Sequence, residues 1–317
     1  MATRGVTGAV DIGGTKISVG AVDSQGRILA KKEMPTAAVG GFSASMDRVC
    51  QMLADIRHDT GVEFCGIGIG CTGPIDPISG LIGDVDFLPG WEGCNPVDRI
   101  GQAFGVEVAM ENDADAAVLA EAYWGVGQGK ESIICVTVGT GIGAGIVLNG
   151  VLYRGVRGSH PEIGHHVIDR TGPRCFCGAD GCWEVLARGP AMVERMLIDV
   201  PAGDPLHESL TAKLICDLAR AGDHGAVAEV QLEGSYLGIG VANLVTLFAP
   251  QLIVLGGSVM NAADLFMPPI RAAVSRNCGL VDWRQTTIMP ASLGSDTPLI
   301  GAGMVWRHRY EGVVAAC

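Results

Sequence analysis

Two segments of the chain share one pattern of apolar and polar positions. Residues 6–22 (VTGAVDIGGTKISVGAV) and 133–152 (IICVTVGTGIGAGIVLNGVL) each contain an apolar run, a glycine-rich turn and a second run that alternates apolar with small or polar residues. This alternation is typical of a β-strand, and glycines between two such runs predict a tight turn. The chain is therefore predicted to consist of two related halves, each opening with a β-turn-β unit.

Strand-like runs and segments of helical periodicity alternate along the rest of the chain. A hairpin turn is predicted at 23–26, strands at 64–71, 106–112 and 251–257, and helices at 42–59, 95–104, 113–124, 189–199, 207–221, 224–248, 261–277 and 298–309. This alternation predicts an α/β fold. Because 317 residues exceed the usual size of one core, two domains with a cleft are expected. Residues 1–116 plus 300–317 are predicted to form the smaller domain, and 117–299 the larger one.

The charge balance argues against a nucleic-acid partner. The chain has 22 Lys and Arg residues and a formal net charge of −12, without a basic run. Nucleic-acid binding depends on clustered Lys and Arg side chains that neutralise phosphates. No apolar stretch is long enough to span a bilayer, and the N-terminal residues lack signal-peptide character, so a cytoplasmic protein without a membrane partner is expected.

The first glycine turn has the composition of a phosphate-binding loop. It follows Asp11 and contains Gly13, Gly14, Thr15 and Lys16. Backbone N–H groups of such a turn and the threonine hydroxyl can face phosphates, and a carboxylate at the strand end can reach their Mg²⁺ ion. An ordinary hairpin whose turn is capped by Asp11 is the alternative interpretation.

Two further glycine-containing turns favour the phosphate interpretation. Thr140 and Gly141 lie in a second turn of similar sequence, as a two-sided clamp on a polyphosphate would require. Gly256 and Gly257 follow an apolar strand, where an adenosine group can lie against a backbone without Cβ atoms. The sequence contains neither a P-loop motif nor a GxGxxG motif in a βαβ unit, which argues against those nucleotide folds.

Cysteine is used in two ways. Eight cysteines stand singly, mostly in apolar surroundings that predict packing roles: Cys50, Cys65, Cys71, Cys94, Cys135, Cys216, Cys278 and Cys317. The other three, Cys175, Cys177 and Cys182, lie within eight positions of one another and follow His165. This cluster is a candidate for a redox centre, an acyl-transfer nucleophile or a metal site.

The ordered motifs DIGGTK, VGTGIGAG, ENDADAA and ExGH followed by CxCGxxGCxE resemble those of the ROK family of sugar kinases, repressors and related proteins. The resemblance runs from residue 8 to the C-terminal helix. It implies a two-domain, actin-like (ribonuclease-H-like, hexokinase-type) ATPase fold with a structural zinc site. The implied activity is phosphorylation of a hexose 6-hydroxyl by ATP with Mg²⁺. The family also implies a homodimer or homotetramer.

The ENDAD segment joins a predicted strand to a predicted helix. Asn112 can hydrogen-bond a sugar hydroxyl, and Asp113 can accept the proton of the attacking hydroxyl. Asp113 matches the family's catalytic base, although capping of the helix alone is the simpler alternative. Asp115 is expected to be a solvated carboxylate stabilised by the helix dipole.

The same resemblance implies a zinc site beside the sugar. The spacing of His165, Cys175, Cys177 and Cys182 equals that of the family's Cys₃His site. These four ligands complete a tetrahedron and leave no position for a reactive water, so the metal is expected to be structural. Gly73, Glu162, His165 and Glu184 are implied to contact the sugar, and zinc on one nitrogen of His165 would fix its ring. His160 and His166 are expected to lie at the surface.

The identity of the sugar is left open between two classes. Glucokinases of the family often carry asparagine at the position that Phe87 occupies here, and Asp84 and Asp86 lie beside it. An anion favours a protonated amine over a hydroxyl, so an aminohexose such as kanosamine or glucosamine competes with glucose, which is slightly favoured. A sugar-sensing regulator is the alternative from another class. It would need a DNA-binding segment before DIGGTK, and the ten residues there leave no room for one.

Overall fold

The computed structural model describes residues 5–36, 40–198, 200–201 and 203–312. Its strands are β1 (Val6–Ile12), β2 (Lys16–Val22), β3 (Ile28–Pro35), β4 (Phe64–Cys71), β5 (Ile75–Asp76), β6 (Leu81–Ile82), β7 (Val108–Asn112), β8 (Ile133–Val138), β9 (Ile142–Leu148), β10 (Val151–Leu152), β11 (Leu252–Gly256) and β12 (Thr287–Pro290). Its α-helices are α1 (Phe42–Thr60), α2 (Pro96–Phe104), α3 (Asp113–Trp124), α4 (Trp183–Ala187), α5 (Gly189–Met196), α6 (Leu206–Ser209), α7 (Ala212–Arg220), α8 (His224–Phe248), α9 (Ala263–Asn277) and α10 (Thr297–Tyr310).

The two predicted β-turn-β units open two five-stranded sheets. The first sheet has the order β3-β2-β1-β4-β7, in which β1 pairs antiparallel with β2 and parallel with β4. The second has the order β10-β9-β8-β11-β12, with β11 parallel to both β8 and β12. Each sheet thus places a hairpin beside parallel strands, which confirms the prediction of two related halves.

The sequence of strand β4, FCGIGIGC, places isoleucines on one face of the first sheet and glycines on the other. Ile67 and Ile69 are fully buried in a core that also contains apolar side chains of α1. The alternating glycines face α10, and a Cβ atom on Gly68 would lie 1.9 Å from the carbonyl oxygen of Ala302. Glycine is therefore required here by the close approach of a helix backbone.

The described chain divides into two compact units. The first contains residues 5–131, 145–161 and 292–312, and the second contains residues 132–144 and 162–291. The predicted division at 116/117 would cut helix α3, whereas the structure keeps all of α3 in the first unit, where it packs along α10. Residues 145–161 also belong to the first unit rather than to the segment assigned to the larger domain.

Several elements differ from the predictions. The predicted helix 207–221 is two helices, α6 and α7, because Thr211 caps the second through its side chain. The predicted helix 261–277 begins as a 3₁₀ turn at Val259–Ala262 before α9. The sequence did not predict the β5-β6 hairpin, β12 or the short helix α4. These elements span only two to five residues, too few for a periodic pattern.

The isolated cysteines are mostly packing residues, as predicted. Cys71, Cys135, Cys216 and Cys278 are buried, Cys50 and Cys94 are partly buried, Cys65 is exposed, and Cys317 lies outside the described residues. The exception is Cys65, the one exposed residue of β4, at the point where the register between β1 and β4 skips a residue. Within the described residues, no helix combines the length and apolar character needed to cross a membrane.

Candidate active site

Four predicted site residues meet at one edge of the first sheet. Ile12, Cys71 and Asn112 are register partners at the carboxyl ends of the parallel strands β1, β4 and β7. Asp11 precedes the first of them, and Asp113 follows the last. Gly73 lies just beyond β4, where a Cβ atom would be 3.1 Å from the amide nitrogen of Asn112. Ligands of open α/β sheets commonly bind at this edge.

The side chains of Asn112 and Asp113 are held by the start of α3. The backbone N–H of Ala114 donates to Asn112 Oδ1 at 2.9 Å and to Asp113 Oδ1 at 2.8 Å. Asn112 is buried and is the N-cap of the helix. The residue that caps α3 is therefore Asn112 rather than Asp113, which is the first residue of the helix and accepts from the same Ala114 N–H.

Asp11 and Asp113 interact electrostatically. Burial raises the pKa of Asp11 from its ordinary 3.8 to about 7, and the negative charge of Asp113 is the second cause. Burial also raises the pKa of the Cys71 thiol well above its ordinary value, with Asp113 and Asp11 as further causes. Two carboxylates with differing environments at one strand edge are a frequent feature of sites that combine proton transfer with cation binding.

The first turn is a tight hairpin. The Gly13 N–H donates to the Lys16 carbonyl at 3.0 Å, and the Thr36 hydroxyl donates to the Gly13 carbonyl at 2.7 Å. Thr15 is exposed, and Lys16 Nζ lies 2.9 Å from Glu33 Oε1. Phe87 packs over Gly14, where an added Cβ would be 2.6 Å from the Phe87 Cβ.

The second turn lines a cavity of about 730 Å³ within the second unit. Gly139 and Thr140 contribute from the turn, and Ser258 and Val259 follow directly on Gly256 and Gly257. Of the predicted site residues, Thr140 lines this cavity, and Gly256 and Gly257 directly precede two of its lining residues. Much of the remaining wall comes from α5, α7 and the loop before α7, including Gly189, Val193, Leu210, Thr211, Lys213 and Cys216. These residues form no motif that could be recognised in the sequence.

The cysteine cluster has the arrangement of a metal site. One ligand atom from each of His165, Cys175, Cys177 and Cys182 lies within 4.8 Å of the others. Cys175 Sγ is 3.6 Å from His165 Nδ1, and Cys177 Sγ is 3.2 Å from Cys182 Sγ. Burial and the neighbouring sulfurs raise the pKa of Cys182 to about 12, whereas a backbone N–H lowers the pKa of Cys177. Such crowded thiols suit a bound divalent cation.

The remaining predicted sugar ligands lie next to this cluster. His165 Nε2, the nitrogen that faces away from Cys175, is 4.0 Å from Glu184 Oε1. The Ile142 N–H donates to Glu184 Oε2 at 2.8 Å, and a Cβ atom on Gly141 would lie 2.5 Å from that oxygen. Glu162 is exposed at the start of the 3₁₀ turn Ile163–His165. The second unit therefore brings Gly141, His165 and Glu184 together.

Three expectations about polar residues are wrong. Asp115 is fully buried rather than solvated, because α3 packs against α10 and is enclosed along most of its length. His160 is not a surface residue, since its Nδ1 lies 3.0 Å from Asp115 Oδ2. His166 is partly buried against Trp183, and this burial lowers its pKa.

Residues 7–309 match the ROK family pattern. The chain is 34% identical to a glucokinase of Streptomyces coelicolor over 318 residues, which cover 96% of this chain and 98% of that protein. The chain belongs to the ROK family. The structure of a ROK glucokinase from Streptomyces griseus with glucose and AMPPNP is 33% identical, with a TM-score of 0.80 over 94% of this chain and 98% of that one.

A ROK hexokinase structure from Thermus thermophilus gives the same result, at 32% identity and a TM-score of 0.81 over 97% of this chain and all of that one. The predicted two-domain, hexokinase-type α/β fold is thereby confirmed for this ROK protein. The loop predicted to distinguish sugars is open to solvent: Asp84, Asp86 and Phe87 are exposed.

Proposed function

We propose that this ROK protein transfers the terminal phosphoryl group of ATP to the 6-hydroxyl of a hexose, with glucose as the favoured acceptor. At the level of enzyme class the chain is a sugar kinase, since full-length relatives and structural neighbours are kinases of glucose or hexoses. The observation that carries the finer proposal is the placement of Asp11, Asn112 and Asp113 at one sheet edge.

Asp113 is proposed as the general base. Its carboxylate would accept the proton of the 6-hydroxyl as that oxygen attacks phosphorus, while Asn112 hydrogen-bonds a neighbouring sugar hydroxyl. Gly73 would leave room for the sugar beside Asn112. The start of α3 fixes both side chains before substrate binds, through the two hydrogen bonds from Ala114. Fixed geometry of this kind is a large part of catalysis by phosphoryl-transfer enzymes.

The phosphates of ATP are proposed to contact the two glycine turns. Gly13, Gly14, Thr15 and Lys16 form one contact, Thr140 and Gly141 form the other, and Gly256 and Gly257 border the adenosine. Asp11 would hold Mg²⁺, which neutralises the phosphates when bound. The cavity of about 730 Å³ next to Thr140 is large enough for a nucleotide. The bound AMPPNP of the Streptomyces griseus neighbour supports ATP as the donor.

Zinc is proposed to be structural. His165 Nδ1 faces the cysteines, so His165 Nε2 is left toward Glu184. A tetrahedral ion on Cys175, Cys177, Cys182 and His165 would fix the imidazole ring and its tautomer. His165, Glu184 and Glu162 are then proposed to hydrogen-bond sugar hydroxyls.

An aminohexose is the second candidate acceptor, because Asp84 and Asp86 are exposed carboxylates beside Phe87. Sugar-dependent ADP release should be compared for glucose, mannose, fructose, glucosamine, kanosamine, N-acetylglucosamine and N-acetylmannosamine. Glucose should give the highest kcat/KM, and NMR should locate the phosphate on the 6-oxygen of the product. If an amino sugar leads, and an Asp84→Asn/Asp86→Asn variant loses that preference, the acceptor is an aminohexose. ADP release that no sugar stimulates would contradict the kinase assignment.

A further inference from the structure

Two buried carboxylates flank the proposed catalytic pair. Glu111 directly precedes Asn112, and Asp115 lies two residues beyond Asp113, with side chains only 1% and 0% exposed. Removing a carboxylate from water costs several kcal/mol unless a cation and hydrogen bonds compensate. The segment from Glu111 to Asp115 therefore depends on cations supplied by other elements.

Arg154, just after β10, connects the two carboxylates. One terminal nitrogen of its guanidinium contacts Glu111 Oε2, and the other lies 3.4 Å from Asp115 Oδ2. Glu111 is held a second time by Arg309 of α10, at 2.9 Å. Because a guanidinium is a rigid planar fork, Arg154 fixes the last residues of β7 relative to the first turn of α3.

His160 holds Asp115 from the same loop. Its Nδ1 is 3.0 Å from Asp115 Oδ2, and its side chain is 11% exposed. The loop closes on itself, because the Gly155 N–H donates to the Ser159 carbonyl at 2.8 Å. This closure brings Arg154 and His160, six positions apart in the sequence, onto the same carboxylate.

We infer that Arg154 and His160 are positioning residues for Asn112 and Asp113, acting through Glu111 and Asp115. Neither side chain needs to touch the sugar in this role. The inference rests on the proposed role of Asp113 as the base. Displacement of a catalytic group by about 1 Å can cost about 10²-fold in rate, so a small shift of the first turn of α3 would be visible in turnover.

The test compares Arg154→Lys, Arg154→Met and His160→Gln with the wild-type full chain. Lysine keeps the charge but lacks the rigid planar fork that places one nitrogen against each carboxylate. We expect kcat to fall about 10-fold for Arg154→Lys, about 10²-fold for Arg154→Met and several-fold for His160→Gln. The KM for ATP should stay within about twofold, since Arg154 and His160 contact Glu111 and Asp115 and are not among the residues proposed to bind the nucleotide. Arg57→Met, which removes an exposed pair with Glu63, is the control and should leave kcat unchanged.

Thermal unfolding and AMPPNP binding show whether each variant is folded. If Arg154→Met does not fold, the inference is tested instead with Asp115→Asn and His160→Gln, each alone and both together. Each single change should lower kcat, and the double variant, with two neutral amides in contact, should recover part of the loss. Folded Arg154 and His160 variants with wild-type kcat and a lowered melting temperature would overturn the inference. If Asp113→Asn proved fully active, the proposed base and this inference would both be wrong. An inactive Asp113→Asn beside fully active Arg154 variants would refute this inference alone.

Discussion

The two β-turn-β units have the same backbone design but carry different chemistry. In the first β-turn-β unit, Asp11 lies one residue before the end of the strand that precedes the turn, and burial, followed by the charge of Asp113, raises its pKa to about 7. At the corresponding place in the second β-turn-β unit stands Thr137, whose hydroxyl donates to the Gly143 carbonyl at 3.3 Å. The carboxylate next to the second turn comes from α4, where Glu184 accepts from the Ile142 N–H.

This comparison indicates that the two halves supply different chemical groups. The first compact unit supplies carboxylates at the ends of β1 and β7, which suit the proposed base and cation ligand. The second compact unit supplies the cavity proposed for the nucleotide and the cluster that contains His165, next to Glu184. Similar turns therefore do not imply similar roles, and each side of the comparison can be tested separately.

Removal of the proposed zinc is expected to have the largest effect on stability, and among the described residues such a ligand cluster is found only in the second compact unit. The purified protein should contain about one zinc per chain, and chelation or Cys182→Ser should lower the free energy of unfolding by at least about 3 kcal/mol. The melting temperature and metal analysis measure this. Cys65→Ser changes an exposed cysteine outside the cluster and should retain zinc. A fully active, equally stable zinc-free protein would show that the cluster does not bind a structural metal.

Two separate substitutions, Gly14→Ala and Gly141→Ala, compare the two turns directly. The new Cβ would lie 2.6 Å from Phe87 Cβ in the first turn and 2.5 Å from Glu184 Oε2 in the second. Gly141→Ala should displace a proposed sugar ligand and lower kcat/KM for glucose about 10²-fold. Gly14→Ala should have a smaller effect on kcat/KM for glucose, because the residue that must shift, Phe87 in an exposed loop, is not among the proposed glucose ligands. Gly279→Ala has nothing within 4 Å and is the control. Equal losses for both turns would contradict the proposed difference.

The buried ion clusters of the two compact units also differ. The pH dependence of the free energy of unfolding should reveal this difference. In the second unit, Arg195 faces two carboxylates, at 2.8 Å from Glu229 and 2.5 Å from Glu233. One cation cannot balance both, and burial raises the pKa of Glu233 from its ordinary 4.5 to about 8. The folded protein therefore keeps the Glu233 proton above pH 4.5, where the unfolded chain releases it. The contribution of this protonated carboxyl to the free energy of unfolding is fully present below about pH 4.5 and is lost as the pH rises through about 8.

Denaturant unfolding at pH 5 and pH 8.5 measures this loss. Wild type should lose about 1–3 kcal/mol more over that interval than Glu233→Gln, whose amide cannot ionise. Glu63→Gln, an exposed pair partner of Arg57, serves as the control and should follow wild type. A Glu233→Gln variant with an unchanged pH dependence would show that Glu233 is ionised in the folded protein throughout.

The sequence predicted the parts of the molecule that depend on local pattern. Both hairpins, strand β4, helices α1 and α8 and the order of the glycine turns follow from alternation, helical periodicity and glycine placement. The resemblance to the family's Cys₃His spacing implied the cluster of His165 and three cysteines that the structure brings within 4.8 Å.

What the sequence did not predict depends on long-range packing. In the sequence, Asp115 resembles a solvated residue in the first turn of a helix. In the structure α10 covers α3, and the loop from Arg154 to His160 supplies the partners of Asp115. The cavity wall from α5 and α7 could not be predicted either, since its mixed apolar and polar residues form no motif. Neither set has a periodicity or spacing of its own in the sequence.

The measurement that tests the account most directly is the turnover of Asp113→Asn with saturating glucose and ATP, together with calorimetric binding of glucose. Asparagine keeps the shape and the hydrogen bond to Ala114 but cannot accept the proton. We expect kcat to fall about 10²–10⁴-fold while the Kd for glucose stays within about twofold. Turnover within a fewfold of wild type would contradict the assignment of Asp113 as the general base.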